Sequence, residues 1–115
     1  VIGDGNFPAA SHTKRLVRCD STNVSEILKS ILEIFPLDEY VENPVFLMKT
    51  GEEYEGEPEV WGEYRSLLGK CEEFKDFELL ERFSFYDRAK NAYAVVSTSE
   101  EAIYANIILK KGVVK

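Results

Sequence analysis

Short apolar runs alternate along this chain with stretches in which apolar residues recur at helical spacing. Six runs have the length and apolar content expected of strands. They cover residues 1–4, 16–19, 45–48, 77–81, 93–97 and 106–109. Turn-forming residues follow the first run at 5–8, and residues 98–101 are expected to form a turn or a short helix.

Three other segments predict helices. The first follows capping candidates at 20–23, carries one apolar stripe, and ends before Pro36. Its stripe consists of Val24, Ile27, Leu28, Ile31, Leu32 and Phe35. The second opens at Pro58 and also has one apolar face. That face consists of Val60, Trp61, Tyr64, Leu67 and Leu68, with Trp61 interpreted as a packing residue. The third is a short helix capped by Ser84 that runs through Phe85, Ala89 and Ala92.

The order of these elements predicts an α/β fold, because strands and helices alternate. We expect a three-layer arrangement, with a central mixed sheet covered by helices on both faces. The chain has 115 residues, which fits one domain over residues 1–115. It begins at Val1 in what reads as the end of a strand, so we expect further residues upstream.

The net charge of the chain limits the classes of partner that we expect it to bind. The formal net charge is -7, which disfavours nucleic acid and anionic membranes but not a neutral ligand. The acidic loop at 51–59 is interpreted as solvated surface and not as a metal site. No apolar run approaches the length of a membrane span, and no signal peptide is visible, so a cytoplasmic protein is expected.

The two cysteines are far apart in the sequence and form no paired motif. Cys19 and Cys71 could form one disulfide, but two reduced and partly buried thiols are the favoured interpretation. With His12 as the only histidine, these residues make no zinc-ligand cluster. No metal site is predicted.

Four polar clusters lie at strand ends and loops, where α/β sheets bind ligands. They are Asp4 with Asn6; His12; Arg82 with Tyr86, Asp87 and Arg88; and Tyr104 with Asn106. Each also has a structural interpretation. Asp4 would stabilise a turn, His12 would be a solvated surface residue, and Arg88 would pair with Asp87 or Glu81. Tyr86 and Tyr104 would be half-buried, and Asn106 would cap a strand end.

Together these residues suit a carbohydrate, because sugars are held by Asp, Asn and Arg contacts and by aromatic faces. No phosphate-binding loop, dinucleotide motif or nucleophile elbow is present. No strong nucleophile is visible, so proton transfer is favoured over covalent catalysis.

Four strings resemble the fucose mutarotase and ribose pyranase family. They are Asp-Gly-Asn-Phe-Pro-Ala at 4–9, Pro-Leu-Asp-x-Tyr at 36–40, the string at 81–89, and Tyr-Ala-Asn-Ile-Ile-Leu-Lys-Lys-Gly at 104–112. The resemblance covers essentially the whole chain in order. The Phe-Tyr-x-Arg-Ala string at 85–89 points to the fucose branch.

The resemblance implies an isomerase that interconverts the α and β anomers of a free monosaccharide, fucose before others. It implies no cofactor and no metal, and a ring-like homo-oligomer. Carried over by motif, the sugar contacts are Asp4, Arg82, Tyr104 and Asn106, with Ala105 contributing backbone and Tyr86 an additional wall.

The family's catalytic histidine lies in a Gly-His-Gly-Asp motif that is absent from these 115 residues. His12 follows Asp4 in the chain and does not match that motif, so the catalytic acid is unassigned and Asp4 is a possible paired base. Two alternatives stay open at this point. One is a binding subunit that holds a monosaccharide without catalysis, and the other is a structural oligomer subunit.

Overall fold

A computed structural model describes residues 1–9 and 14–112. Each predicted strand and helix is present. The strands are β1 (Ile2–Gly3), β2 (Leu16–Cys19), β3 (Val45–Met48), β4 (Glu78–Leu80), β5 (Val95–Thr98) and β6 (Ile107–Leu109). The helices are α1 (Val24–Ile34), α2 (Glu59–Leu68) and α3 (Arg82–Lys90).

The six strands form one mixed sheet in the order β2-β5-β1-β6-β3-β4. β2 and β1 pair in parallel with β5, and β4 pairs in parallel with β3. β6 runs antiparallel to both β1 and β3. Because β6 opposes β1, the chain entering β6 lies beside the carboxyl end of β1, which places the segment around Asn106 next to Asp4.

The sheet is covered on both faces, as the sequence predicts. Side chains alternate along β3, so that Val45 and Leu47 join the core beneath α1 and α2. Phe46 and Met48 join a second core, which contains Phe85 of α3. The fold is therefore the predicted α/β arrangement of three layers.

The start of α1 is capped by the predicted residue type. The side-chain carbonyl of Asn23 accepts a hydrogen bond of 2.9 Å from the Glu26 N–H. We expect Asn23→Ala to lower the free energy of unfolding by about 1 kcal/mol, because one orphan N–H of the first turn loses its partner. Urea denaturation checks this value, and an unchanged midpoint would contradict it.

The boundaries of two predicted elements were wrong. The third helix starts at Arg82 and is capped by Glu81, whose carboxylate accepts from the Phe83 N–H at 3.1 Å; Ser84 lies inside the helix. The helix ends at Lys90 and does not extend to Ala92. Thr98 belongs to β5 and not to a turn or short helix, since it pairs with Cys19 and donates its hydroxyl to the Gly3 carbonyl at 2.8 Å. The turn of this region lies instead at 103–104.

Cys19 and Cys71 are both free and partly buried, which confirms the interpretation as separate thiols. Across residues 1–9 and 14–112, no helix combines the length and apolar content needed to span a bilayer.

Candidate functional site

A pocket of about 280 Å³ lies at the carboxyl end of β1, between the loop that enters β6 and the first turns of α3. Its lining residues are Asp4, Asn6, Phe7, Met48, Arg82, Tyr86, Ile103, Tyr104 and Asn106. Three of the four predicted polar clusters therefore contribute to one pocket, although they are up to 102 positions apart in sequence. The fourth, His12, lies outside the described residues.

Asp4 is the buried carboxylate of the pocket, at 8% exposure. Burial raises the pKa of the Asp4 carboxyl above its usual value, and the negative charge of Glu100 adds to this. The backbone N–H groups of Asn6, Phe7 and Ala105 oppose the rise because they favour the carboxylate, and the Asn6 N–H donates to it at 3.0 Å. A carboxyl group with a raised pKa and fixed orientation is suited to accept and return a proton.

Asn106 is held directly against Asp4. Its side-chain carbonyl accepts from the Asp4 N–H at 2.7 Å, and the residue is 8% exposed. Since the oxygen is engaged, the amide nitrogen is the remaining polar group of this side chain. Asn106 therefore brings a hydrogen-bond donor to the wall of the pocket.

Tyr104 has a left-handed backbone, with φ of 54°. This conformation costs a non-glycine residue roughly 1–2 kcal/mol, so neighbouring contacts must hold it. Its hydroxyl accepts from the Gly51 N–H at 2.9 Å, and its ring meets the Tyr54 ring edge-on at 5.5 Å. Because the Gly51 bond uses the oxygen as acceptor, the hydroxyl keeps its proton for donation to a ligand.

Two residues of α2 bind the backbone of the same segment. The indole N–H of Trp61 donates to the Tyr104 carbonyl at 2.8 Å, and the Tyr64 hydroxyl donates to the Ala105 carbonyl at 2.6 Å. Trp61 is buried as predicted, but packing is not its only contact. The signal that could have revealed both contacts is two aromatic residues with polar tips, spaced i and i+3 on an apolar helix face.

Arg82 and Tyr86 lie on one face of the first turns of α3. The guanidinium carbon of Arg82 is 5.7 Å from the centre of the Tyr86 ring. The Tyr86 ring also packs against the Phe7 ring, with centroids 5.8 Å apart. These contacts place one cation and two aromatic faces on the wall of the pocket.

Arg88 does not form the ion pair with Asp87 or Glu81 that its structural interpretation predicted. Its guanidinium carbon stacks 4.3 Å from the centre of the Phe46 ring. Neither Arg88 nor Asp87 lines the pocket. The third cluster therefore divides into two pocket residues and two residues outside it.

The apolar part of the wall was not predicted. It is formed by Phe7 and Met48, which the sequence predicted only as turn and strand residues, and by Ile103, to which no role was assigned. Ala105, predicted to contribute backbone, is fully buried behind the wall, with its N–H beside the Asp4 carboxylate. Within residues 1–9 and 14–112, no three His, Cys, Asp or Glu side chains are grouped as a metal site requires.

A second, larger groove of about 400 Å³ lies on the other side of Asn6. Its lining includes Arg18, Asp20 and the segment 97–101. Arg18 and Asp20 already pair with each other at 3.3 Å, and both are exposed. The smaller pocket is the better candidate despite its size, because it contains the buried carboxylate and the strained tyrosine.

Comparison with known proteins extends the resemblance. The model of the RbsD / FucU transport protein family matches residues 1–114. Human fucose mutarotase is 40% identical over 119 residues, covering 98% of this chain and 77% of its own length. The crystal structure of the fucose mutarotase of Streptococcus pneumoniae in complex with L-fucose superposes with a TM-score of 0.91 at 43% identity. It covers 99% of this chain and 81% of its own.

FucU from Bifidobacterium longum gives a TM-score of 0.93 at 46% identity, covering 99% of this chain and 82% of its own. The structural similarity thus extends over nearly the whole of this chain. On the family match over nearly its whole length, this chain belongs to the RbsD / FucU family.

Proposed function

We propose that this chain, as one domain over residues 1–115, is an L-fucose mutarotase that interconverts the α and β anomers of the free sugar. The observation that carries the proposal is the buried Asp4 carboxyl, held beside Asn106 and Tyr104 in a small pocket. Relatives at 40–42% identity are named fucose mutarotases, and one structural neighbour holds L-fucose. These names support the choice of substrate.

Mutarotation opens a hemiacetal and closes it on the other face of the carbonyl. A base must take the proton of the anomeric hydroxyl while the ring oxygen gains one, and the roles reverse on closure. We assign Asp4 as the base, because its raised pKa lets it hold the proton it takes. The same carboxyl group then gives that proton to the ring oxygen, whose bond to the anomeric carbon breaks as the C=O bond forms. The transfers reverse on closure, so no net proton is consumed.

The other pocket residues would hold the sugar. Arg82, Tyr104 and Asn106 offer donors to the ring oxygen and hydroxyl groups. Tyr86 and Phe7 offer faces for the C–H groups of a sugar ring. The Ala105 backbone supports the carboxylate from behind. In this arrangement the anomeric carbon faces Asp4, and the rest of the sugar faces hydrogen-bond donors and aromatic rings.

Two-dimensional exchange NMR of L-fucose, with and without the protein, tests the proposal. We expect faster exchange between the α and β anomeric signals at catalytic amounts of protein. Exchange no faster than in buffer, together with sugar shifts on titration, would replace the enzyme by a binding subunit. Absence of both effects would leave only a structural role.

Two finer features complete the proposal, namely a ring-like homo-oligomer and a cytoplasmic location. Family membership supports the first. The exposed apolar side chains of Leu16, Val17 and Tyr93, near the β2 edge, are consistent with a covered surface. Light scattering coupled to gel filtration tests assembly, and a monomeric mass at micromolar concentration would contradict it. Fractionation of cells tests the location.

A further inference from the structure

We propose that Trp61 and Tyr64 of α2 are positioning residues for the pocket. In this role they fix the backbone of residues 104–106 and thereby aim Tyr104 and Asn106 at the sugar. The inference rests on the proposed function of the pocket. It assigns a functional role to two residues that do not themselves line the pocket.

The two side chains stand one turn apart on the buried face of α2. Trp61 is 4% exposed and Tyr64 is 0% exposed, so both lie within the core. Each uses its single polar tip on a backbone carbonyl, at 2.8 and 2.6 Å, and the two carbonyls belong to consecutive residues. Phenylalanine would fill nearly the same space as tyrosine at position 64, so packing alone does not account for the Tyr64 hydroxyl.

The segment that receives these bonds needs external support. Tyr104 has a left-handed backbone, and the following residues turn at once into β6. From the opposite side, the Asp4 N–H binds the Asn106 side chain at 2.7 Å. Residues 104–106 are thus held by hydrogen bonds from α2 on one side and from Asp4 on the other. These bonds keep the backbone in a strained conformation that it would not hold without them.

The state of the Tyr64 hydroxyl agrees with this role. Burial raises the pKa of Tyr64 well above its usual value, and the nearby charges of Glu100, Glu63 and Asp4 raise it further. The hydroxyl therefore stays protonated and remains a donor across the pH range in which proteins are studied. A phenylalanine at position 64 would leave the Ala105 carbonyl buried without this partner.

The test compares Tyr64→Phe and Trp61→Phe with Leu28→Val in the full chain. Leu28 is fully buried on α1 in the same core, and its side chain makes no hydrogen bond, so this variant controls for lost packing. We expect each aromatic variant to weaken L-fucose binding and to slow anomer exchange by about 5- to 10-fold, measured well below its melting temperature. The amide NMR signals of Ala105 and Asn106 should shift. Leu28→Val should lower the melting temperature and leave binding and exchange near wild type.

The outcomes separate the two claims. If both aromatic variants bind and exchange fucose like Leu28→Val while the wild-type protein is active, the positioning role is wrong and the proposed function stands. If the wild-type protein neither binds fucose nor accelerates exchange, the proposed function is wrong. In that case, unchanged amide signals at residues 104–106 in both aromatic variants would also overturn the positioning role.

Discussion

Asp4→Asn should lower the acceleration of anomer exchange by about 10²-fold or more, because the pocket loses the group that takes and returns the proton. Asparagine keeps the shape and the acceptor oxygen that the Asn6 N–H binds at 3.0 Å. Fucose binding should therefore fall much less than the exchange rate. Exchange NMR and titration calorimetry on the same sample give both values.

Asp38→Asn is the matched control for this change. Asp38 is also a largely buried aspartate, but its carboxylate pairs with Lys110 at 3.4 Å and lies outside the pocket. We expect this variant to lose stability and to keep the wild-type exchange rate. Equal losses of exchange in the two variants would remove Asp4 from the chemistry.

The pH dependence of stability provides an independent check on Asp4. Since the native pKa lies above the usual value of 3.8, the folded protein binds more protons than the unfolded chain between those two pKa values. The free energy of unfolding therefore falls as pH rises through this window, and the loss persists above it. In Asp4→Asn this contribution is absent, so the variant should gain stability relative to wild type as pH rises from 3.8. Urea denaturation at a series of pH values measures the difference.

Arg82→Ala should weaken fucose binding by about tenfold, because a charged donor facing the pocket is lost. The exchange rate at saturating fucose should change less than the affinity, since Arg82 is proposed to hold the sugar and not to move protons. Calorimetry and exchange NMR separate the two effects.

Arg88→Ala is the control on the same helix. Its guanidinium stacks on Phe46 and does not line the pocket, so this variant should cost some stability and leave affinity unchanged. The two arginines are six residues apart in one short helix and carry the same charge. Equal and negligible effects on binding would contradict the assignment of Arg82.

The sequence was sufficient to predict the elements of the fold, because apolar periodicity carries that information directly. The prediction was wrong where a side-chain hydrogen bond sets the boundary of a helix or strand. Glu81 replaced Ser84 as the cap of α3 because its carboxylate reaches the Phe83 N–H. Thr98 was assigned to a turn or short helix, although its hydroxyl binds the Gly3 carbonyl across the sheet. Contacts of this kind depend on strand order, which periodicity does not encode.

The polar residues that line the pocket were predicted, whereas the residues that hold its backbone in place were not. Motif resemblance identified Asp4, Arg82 and the 104–106 segment, and the antiparallel pairing of β6 with β1 explains why they meet. Trp61 and Tyr64 were counted only as apolar positions. Their polar tips on an apolar helix face indicate hydrogen bonds within the core, but the sequence does not show that the acceptors are the Tyr104 and Ala105 carbonyls. The left-handed backbone of Tyr104 that these bonds support is visible only in three dimensions.

Binding of the sugar in this pocket is tested by titrating the isotope-labelled protein with L-fucose and following its amide NMR shifts. We expect saturable shifts concentrated at Asp4, Ala105 and Asn106, with Arg18 and Ser97 of the larger groove unchanged. Shifts concentrated at Arg18 and Ser97, or no saturable shift at Asp4, Ala105 and Asn106, would contradict the claim that this pocket binds the sugar.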